Sequence, residues 1–530
     1  MGELLRILVS DAVEQGCLDI LRAEGFDVDN RPGLPAEELK QILCGYDGLV
    51  VRSATKVTAE VIALGTRLRI IGRAGTGVDN IDLSAATRRG ILVMNTPGGN
   101  TVSAAEHTVS MLMSLARNIP QAHMSLARGE WERKKFTGTE VFEKTLGVIG
   151  LGKIGREVAL RCRGLGMRVL GYDPVIAAEV AAKMEIELVS LEELYRRSDF
   201  ITVHTPLSAA TRGLLNDATL AQCKNGVRVI NCARGGIIDE EALLRALESG
   251  KVGGAALDVF EHEPPGNSPL LKHPRVIATP HLGASTEEAQ EKVALQIARQ
   301  MADALLGRSY TGVVNGAVMQ LTLKEEVRPL VALAEKIGSL VAQLADGKLA
   351  RLTVVAAGEQ AVAALDLLRA GVAKGVLSHL HPDPVNYINA PLLAEELGLV
   401  VREEREGEAE HYGNLMRVRY ETEKGIREVA GAVFGRSGVR LVEMDGFRFE
   451  VNPEGYLLVY NNVDRPGMLA RVVSVLARHQ VNIAGVSLGR AEAGGNALTV
   501  MNIDNSVSPA ALNELRALEG VSGLHQVHLD

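Results

Sequence analysis

Cysteine is sparse. The five residues Cys17, Cys44, Cys162, Cys223 and Cys232 are odd in number, scattered, and mostly embedded in apolar runs. That pattern predicts buried thiols in a reducing compartment rather than disulfides, and no metal-ligand spacing occurs among them. Long apolar runs are missing too: no stretch approaches the ~18 residues of a membrane span. The opening segment GELLRILVSDAV has no basic run ahead of an apolar one, and Arg6 spoils the acylation pattern that Met1-Gly2 would start. Cytoplasm is the expected compartment, with no membrane partner. An excess of basic charge is absent as well. Lys and Arg number 57 against 65 Asp and Glu, for a net charge of -8, so no basic face is available to meet the phosphates of a nucleic acid. The chain shows no internal repeat, low-complexity tract or long charge block.

What is present is a globular composition over several cores. The 530 residues are 46% hydrophobic and 23% charged, which suggests roughly three or four domains. Its most informative segment is TLGVIGLGKIGREVALRCRGLGMRVLGYD, from Thr145 to Asp173. It reads as an apolar strand, Gly150-x-Gly152-x-x-Gly155, a helix, a second strand and an acid at its end. With 55 glycines in the chain, a lone glycine pattern would be weak, but here strand, helix and acid sit where a dinucleotide fingerprint requires them. Gly150 permits the tight turn, Gly152 lets backbone approach a pyrophosphate, and Gly155 allows close helix-strand packing. The helix N-terminus faces the phosphates. Asp173 is placed to accept hydrogen bonds from a ribose and to repel a 2′-phosphate, which favours NAD over NADP.

Residues 1 to about 98 alternate short strand-like runs with helices, an α/β pattern. A helical pattern from Thr101 to Arg128 follows, with Ser103-x-x-Glu106 as a capping-box signature and Pro120 as a predicted break. Residues 144 to 283 again alternate strands and helices, as a doubly wound parallel sheet demands. The helical run EEAQEKVALQIARQMADALLG is expected to return to the first lobe, making that lobe discontinuous. Residues 320 to 450 read as alanine- and leucine-rich helices followed by strands. From about Gly455 the order is β-α-β-β-α-β, a small ferredoxin-like module.

Three polar residues sit at or near predicted strand ends of the second lobe: Arg234 in NCARGG, Glu263 in DVFEHEPP and His281 in TPHLGAS. Strand ends surround the ligand crevice of an open α/β sheet. Hydride transfer from a secondary alcohol needs a base, a group to hold that base, and a cation for the substrate's fixed charge; His281, Glu263 and Arg234 fit those roles. Arg can grip a carboxylate through two parallel hydrogen bonds. Arg52 and Arg73 each end an apolar strand and could present guanidinium groups in a cleft. His204 is expected to be structural, and His107 either packs between lobes or approaches the substrate. Trp131, the single tryptophan, packs between subunits or marks a surface patch.

On the motifs VRSATKVTAEVI, GRAGTGVDNID, NTPGGNTVSAAEH, WERKKF, GLGKIGREV, FITVHTPL, NCARGG, ALDVFEHEPP and PHLGAS, residues 1 to 312 resemble the D-2-hydroxyacid dehydrogenase superfamily. The last ~75 residues resemble an ACT domain. The resemblance implies two doubly wound parallel-sheet lobes, a substrate-binding domain at 1-98 and 284-312 and an NAD-binding Rossmann domain at 99-283. An α+β intervening domain at 313-452 and an ACT regulatory domain at 453-530 would follow. It implies NAD contacts at Thr76, Lys153, Ile154, Asp173, Thr205, Cys232, Asp258 and Gly283, beside the glycines of the fingerprint. It assigns phosphate and carboxylate recognition to Arg52, Ser53, Arg73, Gly75, Asn100 and Arg133. The implied reaction is oxidation of 3-phosphoglycerate to 3-phosphohydroxypyruvate, at the entry to serine synthesis, in a homodimer or homotetramer. Alternatives are a hydroxypyruvate or glyoxylate reductase, activity on 2-hydroxyglutarate, and an NAD-binding corepressor-like sensor. For the ACT-like module the resemblance implies L-serine as a feedback effector. Asp464, at the turn of YNNVDRPGMLARVV, would accept from its ammonium group, and Asn482 would donate to its carboxylate.

Overall fold

The computed structural model describes residues 4–409, 411–435 and 437–530; Met1-Gly2 lies outside them. Four sheets organise the chain. In the first lobe, five short parallel strands run in the order Asp27–Asn30, Arg6–Val9, Gly48–Val51, Ile70–Arg73, Leu92–Met94. These strands are too short to alternate visibly; Gly48–Val51 is buried at every position, as a sheet covered by helices on both faces requires. Helix Glu287–Leu305 comes back from the second lobe and packs Val293, Ala294, Ile297, Ala298 and Met301 into the core formed by Ile7, Val9, Leu18 and Ile70. Thr286 caps that helix by accepting from the Ala289 N–H.

The second lobe is a seven-stranded parallel sheet ordered Val276–Ala278, Val252–Leu257, Val227–Asn231, Phe200–Val203, Thr145–Ile149, Arg168–Tyr172, Glu187–Leu188. Its strand order reverses on either side of Thr145–Ile149, so the crevice at that strand's carboxyl end is the topological switch point. The segment after the first lobe is broken as predicted: helices Thr101–Arg117 and Ile119–Ala127 meet at Asn118, whose φ of 53° ends the first, with Pro120 in the first turn of the second. The capping box does not form. Asn100 occupies the N-cap without a side-chain cap bond, and Ser103, one turn inside, donates instead to the Gly283 carbonyl at 2.9 Å.

The third unit pairs helices Arg328–Leu344 and Leu365–Leu380 against a six-stranded mixed sheet. The helices approach backbone to backbone: a Cβ on Gly338 would run into the Val372 carbonyl, and one on Gly375 into that of Glu335. The sheet includes Leu349–Ala357, a strand absent from the sequence reading because nearly every position is buried and the period-2 signal vanishes. The C-terminal unit is β-α-β-β-α-β with an antiparallel sheet ordered Ile483–Arg490, Asn496–Ile503, Gly455–Val463, Val521–Leu529. Its Leu457, Val459, Leu498, Val527 and Leu529 belong to the same apolar cluster as the third unit's helices. Among the described residues no helix is long and apolar enough to cross a membrane.

Candidate active site

The glycine turn after Thr145–Ile149 behaves as its sequence requires. Gly150 has φ 94°, and a Cβ there would meet the His204 carbonyl. A Cβ on Gly155 would strike the Gly150 carbonyl, so helix Lys153–Gly164 can lie against the strand only with glycine at that position. Gly152 faces open space. Asp173 accepts from the backbone N–H groups of Leu151 at 2.8 Å and Val175 at 2.9 Å. That fixes its carboxylate at the end of the second strand while leaving lone pairs for further donors. Across the crevice the Thr205 hydroxyl is buried without a hydrogen-bond partner. A glycine with open space above it, an anchored acid and an orphaned hydroxyl together fit a bound dinucleotide. Lys153 reaches the Pro97 carbonyl of the neighbouring segment, and Ile154 and Cys232 pack against the lobe's core. Burial pushes the Cys232 thiol up to about 12, which keeps it a neutral group.

A cavity of about 450 Å³ separates the lobes, lined by Arg52, Ser53, Arg73, Gly75, Asn100, Asp258, Glu263 and His281. Thr76 and Asn100, predicted apart, are brought together: the Thr76 hydroxyl donates to Asn100 Oδ1 at 2.7 Å. Glu263, joined to Pro264 by a cis peptide, places Oε2 2.9 Å from His281 Nδ1, while its Oε1 accepts from the Phe260 N–H at 3.2 Å. Nε2 of His281 therefore remains available. His281 has φ 55°, a left-handed conformation that non-glycine residues seldom adopt. It is held there by its own N–H, which donates to the Asp258 carbonyl at 2.9 Å and that of Thr279 at 3.0 Å.

Asp258 is the fully buried anchor of this loop. Its carboxylate accepts from the Thr279 hydroxyl at 2.5 Å and from the N–H groups of Leu282 at 2.7 Å and Gly283 at 2.8 Å, with His107 Nε2 at 3.1 Å. Burial acts to raise its pKa, but the bonds from His107, Thr279 and Leu282 outweigh burial and keep the carboxyl below its usual value. His107 thus serves within the second lobe rather than between lobes, a pairing across 151 positions of sequence that sequence reading could not see.

Arg234 extends across the cleft. Its Nε donates to Asp79 Oδ2 of the first lobe at 3.0 Å and its Nη1 to the Ala233 carbonyl at 2.6 Å. Asp79, not singled out from sequence, is the missed member of the site. Arg73 is lowered to about 10, first by burial and then by repulsion from Arg234, and its Nε is buried without an acceptor. Arg52 donates to the Ala12 carbonyl at 3.1 Å. Three guanidinium groups thus converge with few acids among them, an arrangement suited to a ligand with two anionic ends. Arg133 is not among the residues lining the cavity; it lies in an exposed turn, Arg133–Phe136. In the C-terminal unit Asp464 is engaged by Arg490 at 2.8 Å and by the Gly494 N–H at 3.2 Å, and Asn482 donates to Asp504 at 2.7 Å. The structure therefore gives each its own partner rather than pairing them.

Family comparison agrees with this geometry. Residues 109–283 match the D-isomer specific 2-hydroxyacid dehydrogenase NAD binding domain, 326–445 the D-3-phosphoglycerate dehydrogenase intervening domain, and 456–520 the ACT domain. The chain is 43% identical to D-3-phosphoglycerate dehydrogenase of Synechocystis sp., over 99% of this chain and 95% of that one. It is 41% identical to that of Methanocaldococcus jannaschii over 99% and 100%. Among solved structures it resembles an NAD-dependent formate dehydrogenase from Staphylococcus aureus in complex with NAD. That match has 29% identity and a TM-score of 0.53, and covers 58% of this chain and 99% of that one. Fold and crevice thus define an NAD-dependent oxidoreductase of the D-2-hydroxyacid dehydrogenase class. More narrowly, with its intervening and ACT domains, the chain belongs to the D-3-phosphoglycerate dehydrogenase family.

His204, beside the crevice, is half-buried; its Nε2 meets the Thr202 hydroxyl at 3.0 Å, and desolvation lowers its pKa from 6.5 to about 4. Because the folded form binds the proton less readily than the unfolded chain, its contribution to stability is complete above the unfolded value of 6.5 and is lost as pH falls from there toward about 4. Thermal melting between those limits should show a loss that His204→Gln reduces. Equal pH slopes for the two proteins refute the assignment.

Proposed function

We propose that His281, Glu263 and Arg234 carry the chemistry of this site. The reaction is the NAD-dependent oxidation of 3-phospho-D-glycerate at C2 to 3-phosphohydroxypyruvate, the first step of L-serine biosynthesis. NAD supplies the acceptor for the C2 hydride. Nε2 of His281 takes the proton from the C2 hydroxyl, and the Glu263 carboxylate at Nδ1 fixes the tautomer and stabilises the imidazolium. Arg234, steadied by Asp79, holds the substrate carboxylate with the donors it has left. Arg52, Arg73, Ser53 and the backbone at Gly75 take the phosphate, and the unpartnered Nε of Arg73 is the observation that favours a second anionic end over a plain 2-hydroxyacid. Cofactor recognition falls to Gly150, Gly152, Gly155, Lys153, Ile154, Asp173, Thr205 and Cys232. In this reading Asp258, with Gly283 and Thr76, shapes the nicotinamide end.

The 2.9 Å His281–Glu263 contact carries the catalytic assignment. Replacing His281 by Ala should reduce turnover by ~10²–10⁴-fold with NAD binding retained, and Glu263→Gln should cost less but move the pH profile of kcat. Near-normal turnover without the imidazole, or an unmoved profile, overturns the respective role.

The second lobe presents exposed apolar side chains on one stretch, Ile119, Met124, Leu126 and Trp131. A second copy of the chain covers them in this reading, which also places Arg133 at a subunit contact. Light scattering at working concentration should therefore give a multiple of the chain mass, and Trp131→Glu with Leu126→Glu should lower it. A monomeric wild type refutes this.

Serine feedback is supported by the ACT match and by Asp464 at the strand-helix turn. Since Asp464 is already paired with Arg490, bound serine must share or displace that guanidinium. Calorimetry should detect L-serine binding to the wild type and a loss of roughly tenfold or more in Asp464→Ala. No heat with wild type removes the regulatory reading, and an unaltered variant removes the residue.

A further inference from the structure

Residues Val78, Asp79, Asn80 and Ile81 form a tight turn, closed by the Ile81 N–H on the Val78 carbonyl at 2.9 Å. Asp and Asn suit the central positions of a turn because their side chains ordinarily bond back to nearby backbone. Neither side chain is used that way here. Asp79 reaches out of the turn to Arg234 of the second lobe and accepts from its Nε at 3.0 Å. Asn80 reaches instead into the first lobe, where its Nδ2 donates to the carbonyls of Arg52 and Thr55 at 2.7 Å each. The Arg234 guanidinium lies close over the chain leading into the turn, since a Cβ on Gly77 would run into its Nη2 and into Asp79 Oδ2.

The loop that Asn80 holds is the one that brings Arg52 and Ser53 to the wall of the cleft. A second side chain fixes the same loop. Asp11, buried just beyond strand Arg6–Val9, accepts from the Arg52 N–H at 2.6 Å, the Thr55 N–H at 3.2 Å and the Thr55 hydroxyl at 2.6 Å. The N–H and C=O groups of Arg52 and of Thr55 are therefore all committed, while Ser53 and Ala54 between them stay exposed at the apex. Farther along, the Asn80 carbonyl accepts from the Val57 N–H at 2.8 Å and the Asp82 N–H donates to the Val57 carbonyl at 2.9 Å, so the loop's exit is zipped to the turn's. Arg73 lies between the two arms: burial lowers its pKa first, then Arg234, with Arg52 adding to the effect.

Taking Arg234 for the carboxylate end of the substrate and Arg52 with Ser53 for its phosphate, as proposed above, we infer that Asp79 and Asn80 are positioning residues that set the separation of the two anion subsites. They thereby determine the length of dianion that the cleft accepts. Consecutive Cα atoms stay about 3.8 Å apart, so a closed turn whose neighbouring residues hold the two subsites acts as a spacer between them. The test is steady-state kinetics on the full-length protein at saturating NAD, giving KM for 3-phosphoglycerate and inhibition constants against it for D-glycerate, which lacks the phosphate, and D-malate, a shorter dianion. Asn80→Ala should raise KM for 3-phosphoglycerate by about tenfold, with a smaller change in kcat, because the phosphate loop loses two hydrogen bonds. The inhibition constants should move by no more than about twofold, so that the preference for the longer dianion narrows. Asn80→Ser, which keeps a single donor, should show the same selective loss to no greater extent and decides the matter if the alanine variant does not fold. Asp79→Ala should weaken all three ligands alike, by about twofold to fivefold, since the carboxylate end is common to them. An unchanged KM in the Asn80 variants overturns the proposal, as does a parallel rise in all three constants, which marks general loosening. An Asp79→Ala effect on 3-phosphoglycerate alone removes the role given to Asp79. A wild type that binds D-glycerate as tightly as 3-phosphoglycerate has no phosphate subsite and removes the underlying assignment too, whereas a strongly selective wild type with unaltered variants removes the proposal alone.

Discussion

The site depends on one buried carboxylate. Asp258 directly follows strand Val252–Leu257 of the second lobe with no exposed surface, and a charge in that position is tolerated only because its oxygens are taken by donors on every side. Those donors come from the loop that bears His281. Satisfying the carboxylate therefore fixes the path of residues 279–283 and carries His281 into a left-handed conformation it would not choose. Helix Thr101–Arg117 locks the arrangement from beneath, through His107 on Asp258 and Ser103 on Gly283. The imidazole's position follows from desolvation and hydrogen-bond bookkeeping two residues away from it.

A second constraint is electrostatic. Arg52, Arg73 and Arg234 converge across a cleft whose walls belong to different lobes, and burial first, then repulsion from Arg234, lowers Arg73 to about 10. Such a cluster is costly without an anion and favourable with one, so it selects ligands with two separated negative ends. Asp79 moderates the cost. By taking Nε of Arg234 from the first lobe it offsets one cation and ties the lobes together across the cleft.

Much of this was legible in the sequence wherever the cause is local. Gly150 and Gly155 are demanded by a turn and by a helix-strand approach lying within six residues of one another, and the structure shows the carbonyls that exclude any side chain. That His281 and Glu263 meet was legible because strand ends converge in this fold class. What sequence could not show is tertiary competition for polar groups. Ser103 looked like a cap, but the Gly283 carbonyl lies within its reach and the helix begins before it. Asp464 looked free at a turn, but Arg490 from another strand claims it. Asp79 and His107 had no local signal, because their partners lie 155 and 151 residues away. Strand Leu349–Ala357 escaped notice for the opposite reason, being buried on both faces with no alternation to see.

The distribution of apolar packing separates the chain mechanically. The third and C-terminal units share one core, in which Leu457, Leu498 and Val527 lie among the residues of helix Arg328–Leu344, and Gln343 adds a hydrogen bond to the His528 carbonyl at 2.8 Å. The first lobe meets that pair of units through asparagine amides, one Arg–Glu pair, the Val314 N–H on the Val93 carbonyl at 2.8 Å and a cavity rather than through a continuous apolar core. Cores transmit displacement because they resist deformation, whereas small polar docks yield at low cost. The C-terminal sheet and the third unit are therefore joined by a core, and the third unit and the first lobe by a polar dock beside helix Leu83–Arg88. That dock adjoins Arg69, one residue before strand Ile70–Arg73, so a single strand joins it to the cleft between the lobes.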